Sequence, residues 1–216
     1  MPYGFTVEIR GEYACFSRPE LKVERVSYEV MTPSAARGIL EAVFWKPEIQ
    51  YIIDEIAVCA PIKWENIRRN EVNSKIPYSS IENAVKKLNE GTLEINAAND
   101  RAQRAALVLR DVCYVVKAHF ELTDKAGAED TTGKYTAMIH RRLQKGQCFH
   151  MPYLGVREFP AQLKLLEGDE YTPIQETRPL GLMFYDFEYG INFIPTYFMA
   201  ELVNGVVDLQ NVEVLR

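Results

Sequence analysis

The residues best suited to chemistry lie in TTGKYTAMIHRRLQKGQCFHMPYLGVREF, residues 131–159. Lys134 and Tyr135 stand side by side ahead of a helical pattern, and His140, Arg141, Arg142, Lys145, His150 and Gly155 follow. A lysine ammonium attracts phosphate as a point charge, and an arginine guanidinium grips it with two parallel donors. A phenol accepts a proton only when its pKa falls well below the ordinary value of about 10. A neighbouring ammonium pulls it down, because it favours the phenolate. The Lys134-Tyr135 pair is therefore either part of a site that acts on phosphodiesters or a helix entry with one solvated lysine and one surface or stacking ring.

The three histidines are the other proton carriers, since imidazole titrates near neutrality. His119 shares a strand face with Lys117, because side chains two apart point the same way. It is either a ligand contact or a hydrogen-bonded core residue. His140 lies five residues beyond Tyr135, about 140° round an ideal helix, so the two do not meet in one site and His140 reads as a helix-surface residue. His150 follows a helix stop at Gly146 and can lean towards a ligand. Trp45-Lys46 either sets an aromatic plane beside a cation, the combination used to bind single strands, or packs its ring against the fold, and Arg68-Arg69 is a further candidate for phosphate. Gly155 lets backbone approach a phosphate or marks a β-bulge. Cys15, Cys59, Cys113 and Cys148 are widely spaced and read as buried free thiols of a reducing cytosol. Cys148-Phe149-His150 lacks the second ligand pair that a zinc site needs, so neither a metal nor another cofactor is expected.

The net charge of −5 is unevenly spread. Residues 165–216 hold nine acids against two bases, and the remaining 164 residues hold 23 bases against 21 acids. Phosphate binding needs local positive potential rather than a positive total, so the basic clusters in the first three quarters keep nucleic acid open as a partner. No apolar run approaches the ~18 residues that a membrane helix needs, and MPYGFTVEIRGEY lacks the pattern of a signal peptide. A cytoplasmic, globular protein with no membrane partner is expected.

The elements that must position these residues follow from periodicity. GFTVEIRGEYACF alternates as a strand. Thr32-Pro33 sets an N-cap and a first-turn proline for a helix in SAARGILEAVFW, ended by Pro47. EIQYIIDEIAVCAPI is a β-rich run, and RDVCYVVKAHFELT a strand with Tyr114, Val116, Ala118 and Phe120 on one face. Residues 63–108 interrupt the rhythm as a polar, basic insertion whose one helical pattern, SSIENAVKKLNEG, stops at Gly91. KYTAMIHRRLQKG is a second helix, and PYLGVREFPAQLKLL a strand pair or a long strand bent at Pro160. The order β-α-β-insertion-β-α-β is that of the ferredoxin-like (RRM-like) βαββαβ plan, in the α+β class. Residues 1–166 are expected to form that domain. Residues 167–216 are expected to form a small antiparallel β appendage with a turn at Asn204-Gly205.

The blocks GEYACFSRPELKVE, RVSYEVMTPSAARGILEAVFWKP, IRRNEV, VVKAHFEL and GKYTAMIHRRLQKGQCFHMPYLGVREFPA resemble, in order and spacing, the type I-C branch of the fifth CRISPR-associated (Cas) protein group. That group belongs to the RAMP superfamily. The resemblance implies an endoribonuclease that cuts CRISPR repeat RNA without a metal. It implies that the protein then stays on the 5′ handle of the crRNA among other Cas subunits, with target DNA a further partner. It implies a catalytic group of a tyrosine ahead of Trp-Lys-Pro and an adjacent Lys-His pair. Here those positions hold Phe44, Lys134 and Tyr135. Phe44 cannot move a proton and can only stack or pack. If Tyr135 is the base, the cleavage rate climbs well above pH 8, whereas a plateau from pH 7 upward points to a histidine. A handle-binding subunit with weak or no cleavage is the alternative.

Overall fold

The computed structural model describes residues 4–21, 23–86, 93–168, 170–189 and 192–216. The chain forms two compact units, residues 1–65 with 107–216, and residues 66–106. The class is α+β with mostly antiparallel pairing. The expected boundary near residue 166 falls inside the first unit.

In the first unit, β1 (Phe5–Ala14) buries Phe5, Val7 and Ile9, the alternation that the sequence displays. The stretch expected to be extended before the first helix shrinks to the two-residue β2 (Arg25–Val26). Helix α1 (Pro33–Val43) starts where Thr32 accepts the Ala35 N–H with its hydroxyl, and it buries Ala36, Ile39, Leu40 and Val43. It ends at Val43, before Pro47, because Phe44 turns extended. Strand β3 (Ile49–Val58) follows, with a register shift between Ile53 and Glu55.

Strand β4 (Trp64–Val72) and helix α2 (Tyr78–Lys86) precede β5 (Arg101–Leu122). Helix α3 (Thr132–Gln144) is capped by the Thr131 hydroxyl, and Gly146 follows it at φ 62°. Strand β6 (Gln162–Leu166) is short. Residues 153–160, expected as a strand, form instead a loop with one bridge between Tyr153 and Pro160. The loop is folded on itself by Leu154 N–H to Phe159 O at 2.8 Å and Phe159 N–H to Val156 O at 3.0 Å.

The sheet order is β6-β1-β5-β3-β9, where β9 is Val206–Asp208. Strands β7 (Arg178–Glu188) and β8 (Ile194–Leu202) form a separate antiparallel pair. Within the C-terminal region, β9 joins the main sheet beside β3. Asn204 and Gly205, both at positive φ, turn the chain between Val203 and Val206, as a two-residue hairpin of the primed type requires.

In the second unit, the polar insertion contains two strand segments that its composition hid. In β4, half-buried Glu65, Ile67, Arg69 and Glu71 alternate with exposed Asn66, Arg68 and Asn70. Strand β4 pairs with β5. Within this unit the Ser74 backbone N–H and hydroxyl donate to the Asp100 carboxylate at 2.8 Å and 3.0 Å. Helix α2 buries no side chain, and the stop expected at Gly91 lies outside the described residues. Among the described residues no helix is long and apolar enough to cross a membrane.

Candidate active site

Asp130, one residue before the α3 N-cap, organises the Lys134-Tyr135 pair. Its Oδ1 accepts the Tyr135 hydroxyl at 2.7 Å and the Lys134 ammonium at 2.9 Å, and its Oδ2 accepts the Gly127 N–H at 3.0 Å. Lys134 Nζ also lies 5.3 Å from the centre of the Tyr135 ring. The Tyr135 ring is buried, with centroid distances of 6.1 Å to Phe44 and 6.4 Å to Phe120. The fold therefore brings together the three positions Phe44, Lys134 and Tyr135.

The electrostatics differ from the expectation. The Tyr135 and Lys134 donors hold the Asp130 carboxyl far below the usual carboxylate range. The phenol that donates to Asp130 would leave two facing anions if it ionised, so Tyr135 is pushed up to about 12. Lys134 was expected to lower the Tyr135 pKa. The Asp130 hydrogen bond outweighs it and reverses the sign. At pH 7 a pKa near 12 leaves roughly one phenol in 10⁵ ionised. Asp130 also raises the Lys134 pKa and keeps the amine charged. Tyr135 is neither a surface residue nor a base poised for neutral pH.

Phe44 is buried at the α1 C-cap. Its carbonyl accepts the Tyr51 hydroxyl at 2.7 Å, and its ring lies 5.2 Å from the Arg142 guanidinium. Arg142 in turn donates to the Val43 carbonyl at 2.8 Å. The residue expected to hold phosphate is thus engaged in closing the α1 terminus, where the last carbonyls lack intrahelical partners.

Lys117 and His119 do not join this cluster. They lie on the β5 face opposite Phe120, whose ring meets Tyr135. Each has its own carboxylate: His119 Nδ1 is 2.9 Å from Asp54 Oδ2, and Lys117 Nζ is 3.4 Å from Glu55 Oε2. His140 is half-buried rather than on the helix surface, with Nε2 buried and unpartnered among the described residues. Gly155, at φ 84°, approaches protein backbone: a Cβ there would sit 2.0 Å from the Cys15 carbonyl oxygen. Trp45, Lys46, Arg141, Lys145 and His150 are exposed. In the second unit, Arg68 is exposed and Arg69 is half-buried. Cys15 and Cys113 are buried free thiols, but Cys59 is only half-buried and Cys148 is exposed. Among the described residues no group of three His, Cys, Asp or Glu side chains is placed to hold a metal ion.

Two carboxylates escaped the sequence reading. Asp130 had a signal, an acid four residues before Lys134, the spacing at which helix side chains meet. Glu48 had none. Its Oε2 is buried without a hydrogen-bond partner among the described residues, and its charge raises the pKa of both Lys134 and Tyr135.

The family described as "CRISPR-associated protein (Cas_Cas5)" matches residues 4–210. A "CRISPR pre-crRNA endoribonuclease Cas5d" of Mannheimia succiniciproducens is 48% identical over 209 residues, covering 94% of this chain and 93% of its own. A second protein of that name, from Thermus thermophilus, is 46% identical over 163 residues, 76% of this chain and 64% of its own. A solved structure titled "Crystal Structure of CRISPR-associated Protein" is similar in fold, with TM-score 0.73 and 22% identity, covering 96% of this chain and 92% of its own.

Proposed function

The chain belongs to the Cas5d family of CRISPR-associated proteins, and on that premise we propose that it is an endoribonuclease that cuts CRISPR repeat RNA. The observation that carries this reading is the 48% identity, along almost the whole chain, with a protein named for that activity. After the cut, the protein stays on the 5′ handle of the crRNA, in the cytoplasm, in contact with other Cas subunits and with target DNA. The order β6-β1-β5-β3, with α1 and α3 as the two crossovers, supports a ferredoxin-like reading of the first unit.

Cleavage by the neighbouring 2′-OH has three requirements. A proton leaves that hydroxyl, positive charge meets the phosphorane-like transition state, and the departing 5′ oxygen receives a proton. The products are a 2′,3′-cyclic phosphate and a 5′-OH. Lys134 suits the second requirement. It is charged, its side chain is 41% exposed, and its partner is a single carboxylate that an incoming phosphate can replace. Phe44 serves only to pack. Tyr135 fixes Asp130, and through it Lys134, and is not the base.

The competing reading is a subunit that binds the handle without cutting, and the tethered Tyr135 phenol favours it. Incubation of purified protein with repeat RNA in EDTA separates the two. A single EDTA-resistant cut that disappears in Lys134→Ala supports the enzyme. Tight, salt-sensitive binding that leaves the RNA intact supports the binding subunit instead.

A further inference from the structure

We propose that Trp45, Phe149 and Met151, framed by Lys46, Arg141 and Lys145, form a stacking platform for unpaired bases of single-stranded RNA. This rests on the RNA-processing reading and adds to it a second contact site away from Lys134. Phe149 is 84% exposed, Met151 65% and Trp45 57%. Aromatic rings stabilise a fold most when removed from water, so rings this exposed add little to it.

The exposure does not come from a loose loop. Phe149 and His150 donate their backbone N–H groups to the Ala42 carbonyl at 2.8 Å and 3.4 Å, and Gln147 donates to the Arg142 carbonyl at 2.9 Å. The loop therefore closes the ends of both α1 and α3. Trp45 leaves that same α1 terminus three residues after Ala42. The His150 ring stands edge-on to Phe149 at 5.9 Å, so even the neighbouring ring leaves a Phe149 face open.

Charge selects the occupant. Segments 42–47 and 140–151 contain no acid and hold Lys46, Arg141, Arg142 and Lys145. Arg142 is engaged with Val43 and Phe44. Lys46, Arg141 and Lys145 have no carboxylate partner among the described residues. Exposed rings beside unneutralised cations, in a chain of net charge −5, suit a polyanion with flat bases. Arg141 and Lys145 lie seven and eleven residues beyond Lys134 on and just past α3, roughly 10–16 Å along its axis. One strand can therefore reach both sites.

The test uses full-length protein and a ten-nucleotide oligoadenylate. The chain has two tryptophans, Trp45 and Trp64, so in a Trp64→Phe background the fluorescence reports Trp45 alone. The oligonucleotide should quench it. Phe149→Ala and, in the wild-type background, Trp45→Ala should each weaken binding roughly 5- to 150-fold with an unchanged salt slope, and Phe149→Tyr should restore it. Lys145→Ala should instead flatten the log–log salt slope by about 0.7. Absent quenching, or wild-type affinity in both alanine variants, overturns the platform. So does a Phe149→Ala variant that binds oligoadenylate normally but no longer assembles with other Cas subunits, since the patch would then dock protein. EDTA-resistant cutting by the wild type is scored separately, so the platform can fail while the nuclease reading stands.

Discussion

At the scale of residues, Asp130 sets the chemistry of its neighbours. One carboxylate oxygen accepts from both Lys134 and Tyr135, and this has a stability signature. The Asp130 pKa is depressed by folding, so its contribution is complete above the ordinary carboxylate range and is lost as pH falls through that range and below it. The Tyr135 pKa is raised to about 12, so its contribution is complete below about pH 10 and is lost as pH rises from there through 12. The urea midpoint of Asp130→Asn should therefore lie below wild type near neutrality, with the two curves converging in acid and again at strongly alkaline pH. A constant gap across the whole range would contradict the account. The cleavage rate should also show no rising limb between pH 8 and 10, because the Tyr135 hydroxyl is tied to Asp130 and is not the base, whereas a phenol of pKa near 12 acting as base would raise the rate steadily through that range. Lys134→Ala should abolish cutting while leaving RNA bound.

At the scale of elements, caps and turns carry the specificity, and here the sequence was readable. Thr32-Pro33 marks the start of α1 because a hydroxyl must accept one of the first free N–H groups; the matching cap of α3 by Thr131 emerges only from the structure. Thr32→Ala should lower stability by about 1 kcal/mol, read from the shift in urea midpoint at an unchanged slope. Strand β6 and the 153–160 loop were less legible. Val156 and Phe159 look strand-like, but Gly155 bends the chain at φ 84° against the Cys15 backbone. Gly155→Ala combines a strained φ with a backbone clash, and its cost should exceed the ~1 kcal/mol typical of such conformations alone. A midpoint equal to wild type would show that the loop can relax.

At the scale of the whole molecule, the acidic C-terminal region works as a clasp. Asp186 of β7 binds the Arg37 guanidinium of α1 at two atoms, 2.6 Å and 2.8 Å. Arg178 reaches Glu29. Strand β9 covers β3, with further hydrogen bonds from Val58 N–H to Gly205 O and from Leu209 N–H to Asp54 O. Deleting residues 205–216 would expose one edge of β3, and an open edge is a template for aggregation. The truncated chain should melt lower and aggregate by light scattering under conditions where the full chain stays monodisperse. Unchanged melting would show that β9 is dispensable.

The sequence by itself determined the two helices and the cap of the first, the alternating faces of β1 and β5, the hairpin at Asn204-Gly205 and the family. Each depends on residues close together in the chain, or on motif order. It placed Lys134 and Tyr135 together but could not assign their protonation. That depends on Asp130 folding back across the helix start and on Phe44 and Phe120 closing over the ring, contacts set by packing rather than by spacing. The same holds for Arg142, which reads as a phosphate ligand until the α1 terminus is seen to use it. It holds too for Phe149, whose exposure follows from where the Ala42 carbonyl anchors its backbone. Tertiary structure alone decided these points, because a side chain's pKa and availability are set by whichever groups the fold brings within a few ångströms of it.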